Sequence, residues 1–283
     1  MKKILLSTLI SSALLIANSE FSTTYTYKDY DNSKTKIDGK TIDYRFIHKF
    51  TNSELTINYE DSATKRENKV THKNIDTLEI EKISAKYLYK LNELFTLKTS
   101  FLNIEDNLAV TDNGKVYGIG TSINITPSEI IKLDTYLSDY DDFNVNQYDL
   151  TLIKKFNINN INFSAQLGSK YTNINGEKYG NYNFEDNEYL LFLAGINVNY
   201  NGYYTGVNYL FGDRLFTVQE DGLKVEHHAI EQKESFAFNL GKKFKTVDIY
   251  TRYTYLKGDE LPENKDNVSS DFISIGLNYK FIL

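Results

Sequence analysis

The chain has no cysteine and no tryptophan, and only two prolines and one methionine in 283 residues. Without cysteine it can form no disulfide and exposes no thiol, so an oxidising compartment neither staples nor threatens it. The two prolines, Pro127 and Pro262, leave long stretches that can donate to a backbone ladder without interruption. No apolar run is long enough to cross a bilayer as a helix; the one from Ile4 to Ile16 falls short. Any membrane residence must therefore be through strands that satisfy their backbone groups by closing into a barrel. A mean hydropathy of −0.45 is compatible with this, because such a strand shows lipid only every second residue. The net charge of −6 argues against nucleic acid as a partner.

The two ends of the chain carry the clearest patterns. Lys2 and Lys3, the apolar run, and then Ala17, Asn18 and Ser19 follow the order of a secretory leader. Residues 1–19 are expected to be a cleaved signal peptide, with 20–283 as the mature barrel. At the other end Ile273, Ile275, Leu277, Tyr279, Phe281 and Leu283 alternate with Ser274, Gly276, Asn278 and Lys280. Chain termini usually fray and are polar, so an apolar face that runs to the last residue is informative. It resembles the terminal strand of Gram-negative outer-membrane β-barrels, with Leu283 where an aromatic is typical. The resemblance implies that Leu277, Tyr279, Phe281 and Leu283 form the signal read by the barrel-assembly machinery.

Between the ends, period-two alternation divides the chain into fourteen strands near 20–29, 40–50, 53–61, 80–91, 94–104, 115–125, 129–139, 145–156, 160–171, 188–200, 202–213, 233–243, 246–257 and 271–283. Short connections alternate with longer polar ones at 30–39, 62–79, 105–114, 140–144, 172–187, 214–232 and 258–270. The fold expected is all-β: a closed antiparallel transmembrane barrel with short periplasmic turns and longer extracellular loops. Pro127 falls in a turn and Pro262 in a loop. With 23 Tyr, 17 Phe and no Trp, interfacial girdles must come from side chains such as Tyr87, Tyr89, Tyr203, Tyr209, Phe211, Tyr253 and Tyr255. None of the loops is expected to fold inward.

Strand parity points Asp43, Arg45, Lys86, Lys98, Lys132, Asp134, Asp149, Asp248 and Arg252 into the lumen, with Lys49, Lys90 and Lys280 towards the turn side and Glu60 also inward. A basic wall inside an acidic protein implies a weak anion preference. Catalysis has little to stand on. The histidines are His48, His72, His227 and His228, and none lies in a local motif with a serine or an acid. Asp29, Asp31 and Asn32 open like a calcium loop, but Lys34 replaces the needed glycine and Lys40 the closing glutamate. The acidic tips Asp139, Asp141 and Asp142, and Asp259, Glu260, Glu263 and Asp266, read as hydrated loops that can also bridge lipopolysaccharide through cations. No cofactor, catalytic residue or metal site is expected.

The whole architecture resembles monomeric fourteen-stranded porins. That resemblance implies an integral outer-membrane channel for passive diffusion of ions and small hydrophilic solutes, surrounded by outer-membrane lipid and lipopolysaccharide. The alternatives are a non-catalytic anchor or adhesin acting through its extracellular loops and, further off, a barrel enzyme.

Overall fold

The computed structural model describes residues 18–108, 111–176, 178–179, 182–183, 186–226, 230–261 and 265–281. Residues 1–17 of the proposed leader, Pro262, the His227–His228 pair and Leu283 lie outside the described residues, whereas Ser19, the last residue of that leader, is already the first of β1. Fourteen strands form one closed sheet: β1 (Ser19–Asp31), β2 (Lys36–Lys49), β3 (Ser53–Asn68), β4 (Lys73–Lys90), β5 (Phe95–Asp106), β6 (Lys115–Thr126), β7 (Glu129–Asp139), β8 (Asn144–Ile158), β9 (Ile161–Asn175), β10 (Glu188–Tyr200), β11 (Tyr203–Arg214), β12 (Ile230–Lys243), β13 (Val247–Glu260) and β14 (Lys265–Phe281). Each pairs antiparallel with its sequence neighbours, and β14 pairs with β1 from Ser19 opposite Phe281 to Asp31 opposite Ser269. That last ladder removes the sheet edge, which in hydrocarbon would leave a row of unsatisfied N–H and C=O groups costing several kcal/mol each, about 2–7 by transfer measurements.

The outer face carries the apolar residues. On β14 Ile275 is 61% exposed whereas its neighbour Ser274, on the inner face, is 9% exposed. Leu97 and Phe101 on β5, Leu150 and Leu152 on β8, Phe192 and Ile196 on β10, and Phe236, Phe238 and Leu240 on β12 are exposed in the same way. Tyr87, Tyr89, Tyr203, Tyr209, Phe211 and Tyr253 stand on this outer face as well. An exposed apolar belt around a whole protein is incompatible with water on that side and matches a lipid environment. His48 also faces outward, 2.9 Å from the Ser19 hydroxyl and edge-on to Phe50.

Turn chemistry fixes the register. Asn159 and Asn160 (φ 49° and 66°) close β8 onto β9, and Asn201 and Gly202 (φ 49° and 80°) close β10 onto β11. Two consecutive residues with positive φ give the turn whose twist matches paired strands, and Asn and Gly are the residues that tolerate it. At Gly202 a Cβ would also meet the Lys243 carbonyl oxygen at 2.8 Å.

On the loop side the structure departs from the sequence reading. The expected loops at 30–39, 62–79 and 258–270 are mostly strand. The β3–β4 connection shrinks to residues 69–72, and Arg66 pairs with Ile75 and Glu67 with Asn74. Strands of 16 and 18 residues exceed the 9–11 or so that cross a bilayer, so these hairpins stand above it. There the outer face meets water instead of lipid, so the apolar alternation fades, and the ladder continues without its sequence signature. A second correction is larger: residues 215–226, expected outside, fold into the barrel.

Leu277 and Tyr279 face outward on the closing strand, and the Phe281 ring lies 4.9 Å from that of Tyr279. Placing charge on this strand breaks its apolar face at a cost of up to a few kcal/mol, about 2–4 at mid-bilayer and less near the interface. The double variant Y279D/F281D is therefore expected to be depleted from the outer-membrane fraction of expressing cells, as read by immunoblotting. Unchanged levels would contradict this assignment.

Candidate functional site

The site is built from the loop between β11 and β12 and the inner wall that receives it. Past Arg214 the chain turns inward, and Leu215, Phe216, Thr217 and Val218 are essentially without solvent contact. Val218–Gln219 pairs antiparallel with Lys224–Val225 across a single 3-10 turn, Glu220–Gly222. The wall explains why the loop enters. On β4, β5, β6, β8 and β9 the inner residues nearest the loop side are Ile80, Leu102, Ile104, Val116, Val145 and Ile174, all apolar and buried. Leu215, Phe216, Val218 and Val225 form one cluster with them. Phe216 packs against Phe143 at 4.9 Å and Tyr140 at 5.9 Å. Each apolar side chain of this size contributes about 1.5–3 kcal/mol when removed from water.

Polar groups along the wall serve the loop backbone. Gln147, fully buried, donates through Nε2 to the Val218 carbonyl (3.0 Å) and accepts from the Val218 N–H (2.7 Å). Lys170 donates to the same carbonyl (3.0 Å), Lys82 to that of Val225 (3.2 Å) and Ser84 to that of Leu223 (2.9 Å). At the foot of the loop Arg214 Nε donates to Glu226 at 2.9 Å, and its Nη2 to Gln232. A buried backbone segment without such partners would lose about 1–3 kcal/mol per unsatisfied group.

The tip carries the charge. Asp221 lies 3.0 Å from Lys98, 3.4 Å from Lys132 and 3.8 Å from Lys86, three cations contributed by β5, β7 and β4. Glu220 lies 2.5 Å from Arg45 and 3.7 Å from Lys224. Lys224 in turn reaches Asp43 at 3.0 Å and Glu60 at 3.6 Å, and Glu60 is 2.9 Å from Lys82. Glu220, Asp221 and Gly222 have φ of 51°, 59° and 91°, a left-handed run that is uncommon outside glycine. Gly222 is needed for space as well, since a Cβ there would sit 2.0 Å from the Ser100 hydroxyl.

The other parity-assigned residues fall around this centre. Asp134 pairs with Lys98 at 2.6 Å, Asp149 with Lys170 at 2.5 Å, and Asp248 with Lys280 at 3.4 Å nearer the turns. Arg252 lines a cavity of about 330 Å³ left between the loop and the β1–β2 and β11–β14 side, with Lys28, Asp43, Arg214, Phe272 and Glu226 on the same surface. The residues missed by the sequence reading are the loop acids Glu220 and Asp221, with Lys224, Gln147 and Arg214. The run Leu215, Phe216, Thr217, Val218 inside a supposedly hydrated loop was the signal that could have exposed them. Among the described residues no cluster of His, Asp and Glu has metal-binding geometry. Two of the loop-side acids are ion-paired, Glu260 with Lys36 at 2.7 Å and Asp259 with Lys233.

No protein-family model and no curated protein sequence matches the chain. Solved structures do match in fold. The monoaromatic hydrocarbon channel CymD superposes with a TM-score of 0.61 at 10% identity, covering 96% of this chain and 90% of that one. A Pseudomonas aeruginosa FadL homologue gives 0.60 at 8% identity, covering 95% and 92%. The Ralstonia pickettii toluene transporter TbuX gives 0.58 at 10% identity, covering 95% and 91%. The fold is that of the outer-membrane β-barrels, in a closed fourteen-stranded antiparallel form.

Burial opposes ionisation of Glu220, but Lys224 and Arg45 more than offset it and hold its pKa down to about 2. Burial likewise opposes the charge on Asp221, and Lys132, Lys98 and Lys86 overcome it, leaving its pKa well below the usual carboxylate range. Both values are lower in the docked loop than in a solvated one. Their contribution to docking is thus complete above the solvated carboxylate range, about 4, and is lost as pH falls through the depressed values. A nitroxide on Q219C should stay immobile from pH 7 to about 4 and gain mobility between about 4 and 2. Release between pH 7 and 5 would contradict the ion-pair geometry.

Proposed function

We propose that the protein is an outer-membrane channel for passive diffusion of ions and small hydrophilic solutes, narrowed from within by residues 215–226. The observation that carries this reading is the distribution of polarity on the inner surface. The loop covers the apolar cluster of the wall, and the remaining cavity carries Lys28, Asp43, Glu60, Lys82, Arg214, Lys224 and Arg252 among apolar side chains such as Leu210, Leu256, Val268 and Phe272. The charged groups favour hydrated or charged solutes. CymD and TbuX are named for monoaromatic hydrocarbons and toluene; the charges along this passage are the feature that favours polar cargo instead. An inner surface this elaborately paired also disfavours a pure anchor, whose lumen needs no constriction, and among the described residues nothing on it sets a nucleophile beside a base as an enzyme would require.

Secretion through a cleaved leader, insertion by the barrel-assembly machinery and a surround of lipopolysaccharide belong to the same proposal. The docked loop also revises the selectivity that a basic wall alone implies. With Glu220 on Arg45 and Asp221 on the three lysines, two acids offset part of the charge of four cations, so anion preference is weaker with the loop docked than in the channel without it.

Purified protein in a planar bilayer with potassium chloride is expected to give discrete conductance steps. Replacing residues 216–226 with a short Gly-Ser turn should raise the step size severalfold and shift the reversal potential in a salt gradient towards anions. A folded, inserted protein that passes no current in either form would overturn the channel reading.

A further inference from the structure

We propose that the lysine cluster under the loop tip is a binding site for small oxyanions, with Asp221 occupying it as a built-in ligand that a carboxylate- or phosphate-bearing solute displaces. Three ammonium groups from three strands converge on a single carboxylate at 3.0, 3.4 and 3.8 Å. The wall sets one acid in direct contact with them, Asp134 at 2.6 Å from Lys98, and Glu54 acts on Lys86 from further off. Without the loop tip the cluster holds excess positive charge; with the tip docked, Lys98 and Lys86 are 6% and 13% exposed and Lys132 30%. Cations gathered this closely favour a counter-anion, and an oxyanion of carboxylate or phosphate geometry presents to them what Asp221 presents.

The competition is a fair one because the built-in ligand binds under constraint. To bring its carboxylate down, the chain holds Glu220, Asp221 and Gly222 in left-handed geometry, which is strained for the two non-glycine residues. A diffusible anion carries no such cost. What it displaces is the tip alone. Phe216 and Val218 stay in the apolar cluster, and the Gln147 and Lys170 contacts to Val218 are remote from the lysines in sequence and partner. Lifting of the tip from Gln219 to Lys224 also gives up the Glu220–Arg45 and Lys224–Asp43 pairs and the Ser84 bond to the Leu223 carbonyl, and the ligand that a solute must outcompete is also the group that narrows its path. This inference rests on the channel reading for its consequence, but not for its chemistry.

The absence of cysteine gives a clean test. In the full-length protein carrying L223C, whose native side chain is 2% exposed, maleimide labelling reports lifting of the tip. Inorganic phosphate or succinate should speed labelling at least about threefold over chloride at the same ionic strength, since a competing ligand shifts a docked equilibrium and simple screening does not distinguish the salts. Adding D221N should give fast labelling in chloride alone, with no further response to either oxyanion. Equal rates in all three salts, or slow labelling of the D221N form, would overturn the proposal. A nitroxide on Q219C provides the same comparison should L223C not assemble. Labelling that responds in a protein that never conducts would instead refute the channel and keep the site; conductance without any oxyanion response would do the reverse.

Discussion

Closure of the sheet is the constraint on which the rest depends. In hydrocarbon no water can serve an N–H or C=O group, so the ladder from Ser19 and Phe281 to Asp31 and Ser269 is what allows every other strand to sit in lipid. Once the ring is closed, alternation along each strand has only one solution. Ile273, Ile275 and Leu277 go out to lipid, and the serines and charges beside them go in. Charge on the inner face is thereby concentrated in a narrow, poorly solvated space, where it must find partners.

The loop between β11 and β12 supplies those partners. Wall and loop are complementary twice over, in apolar surface near the loop side and in charge further in. Leu215, Phe216 and Val218 fit against Leu102, Ile104 and Val145, while Glu220 and Asp221 meet Arg45, Lys86, Lys98 and Lys132. The apolar contacts set where the loop lies, and the ion pairs set what its tip does. The tip carboxylates keep about a third of their surface in water, so each pair contributes modestly and it is their number that holds wall and tip together. Gly222 is the hinge of this fit, because only glycine takes its backbone angle and its clearance from Ser100.

Much of the barrel was legible in the sequence because lipid imposes a period-two code. The alternation of Ile275 with Ser274, the Asn201 and Gly202 turn and the fourteen-strand count need nothing beyond local pattern. The same code fails where lipid ends. Lys65, Arg66 and Glu67 extend β3 into water with no apolar face to announce it, and so read as loop. The inward loop was illegible for a different reason. Its partners are distant in sequence, Gln147 by 71 residues from Val218 and Lys98 by 123 from Asp221. Leu215 and Phe216 in a polar stretch were a visible anomaly, but parity alone assigns a facing to Lys98 or Lys132 and says nothing of what waits inside.

The central claim is that an acidic loop tip sits inside the barrel on three lysines, and zero-length cross-linking tests it most directly. Carbodiimide treatment of the purified protein, followed by chymotryptic digestion and mass spectrometry, should recover an amide joining Asp221 to Lys98 or Lys132, whose charged groups are 3.0 and 3.4 Å apart. The exposed pair Glu129 and Lys154, at 2.5 Å, serves as an internal standard. Recovery of the Glu129–Lys154 link with none from Asp221 to the wall would contradict the account.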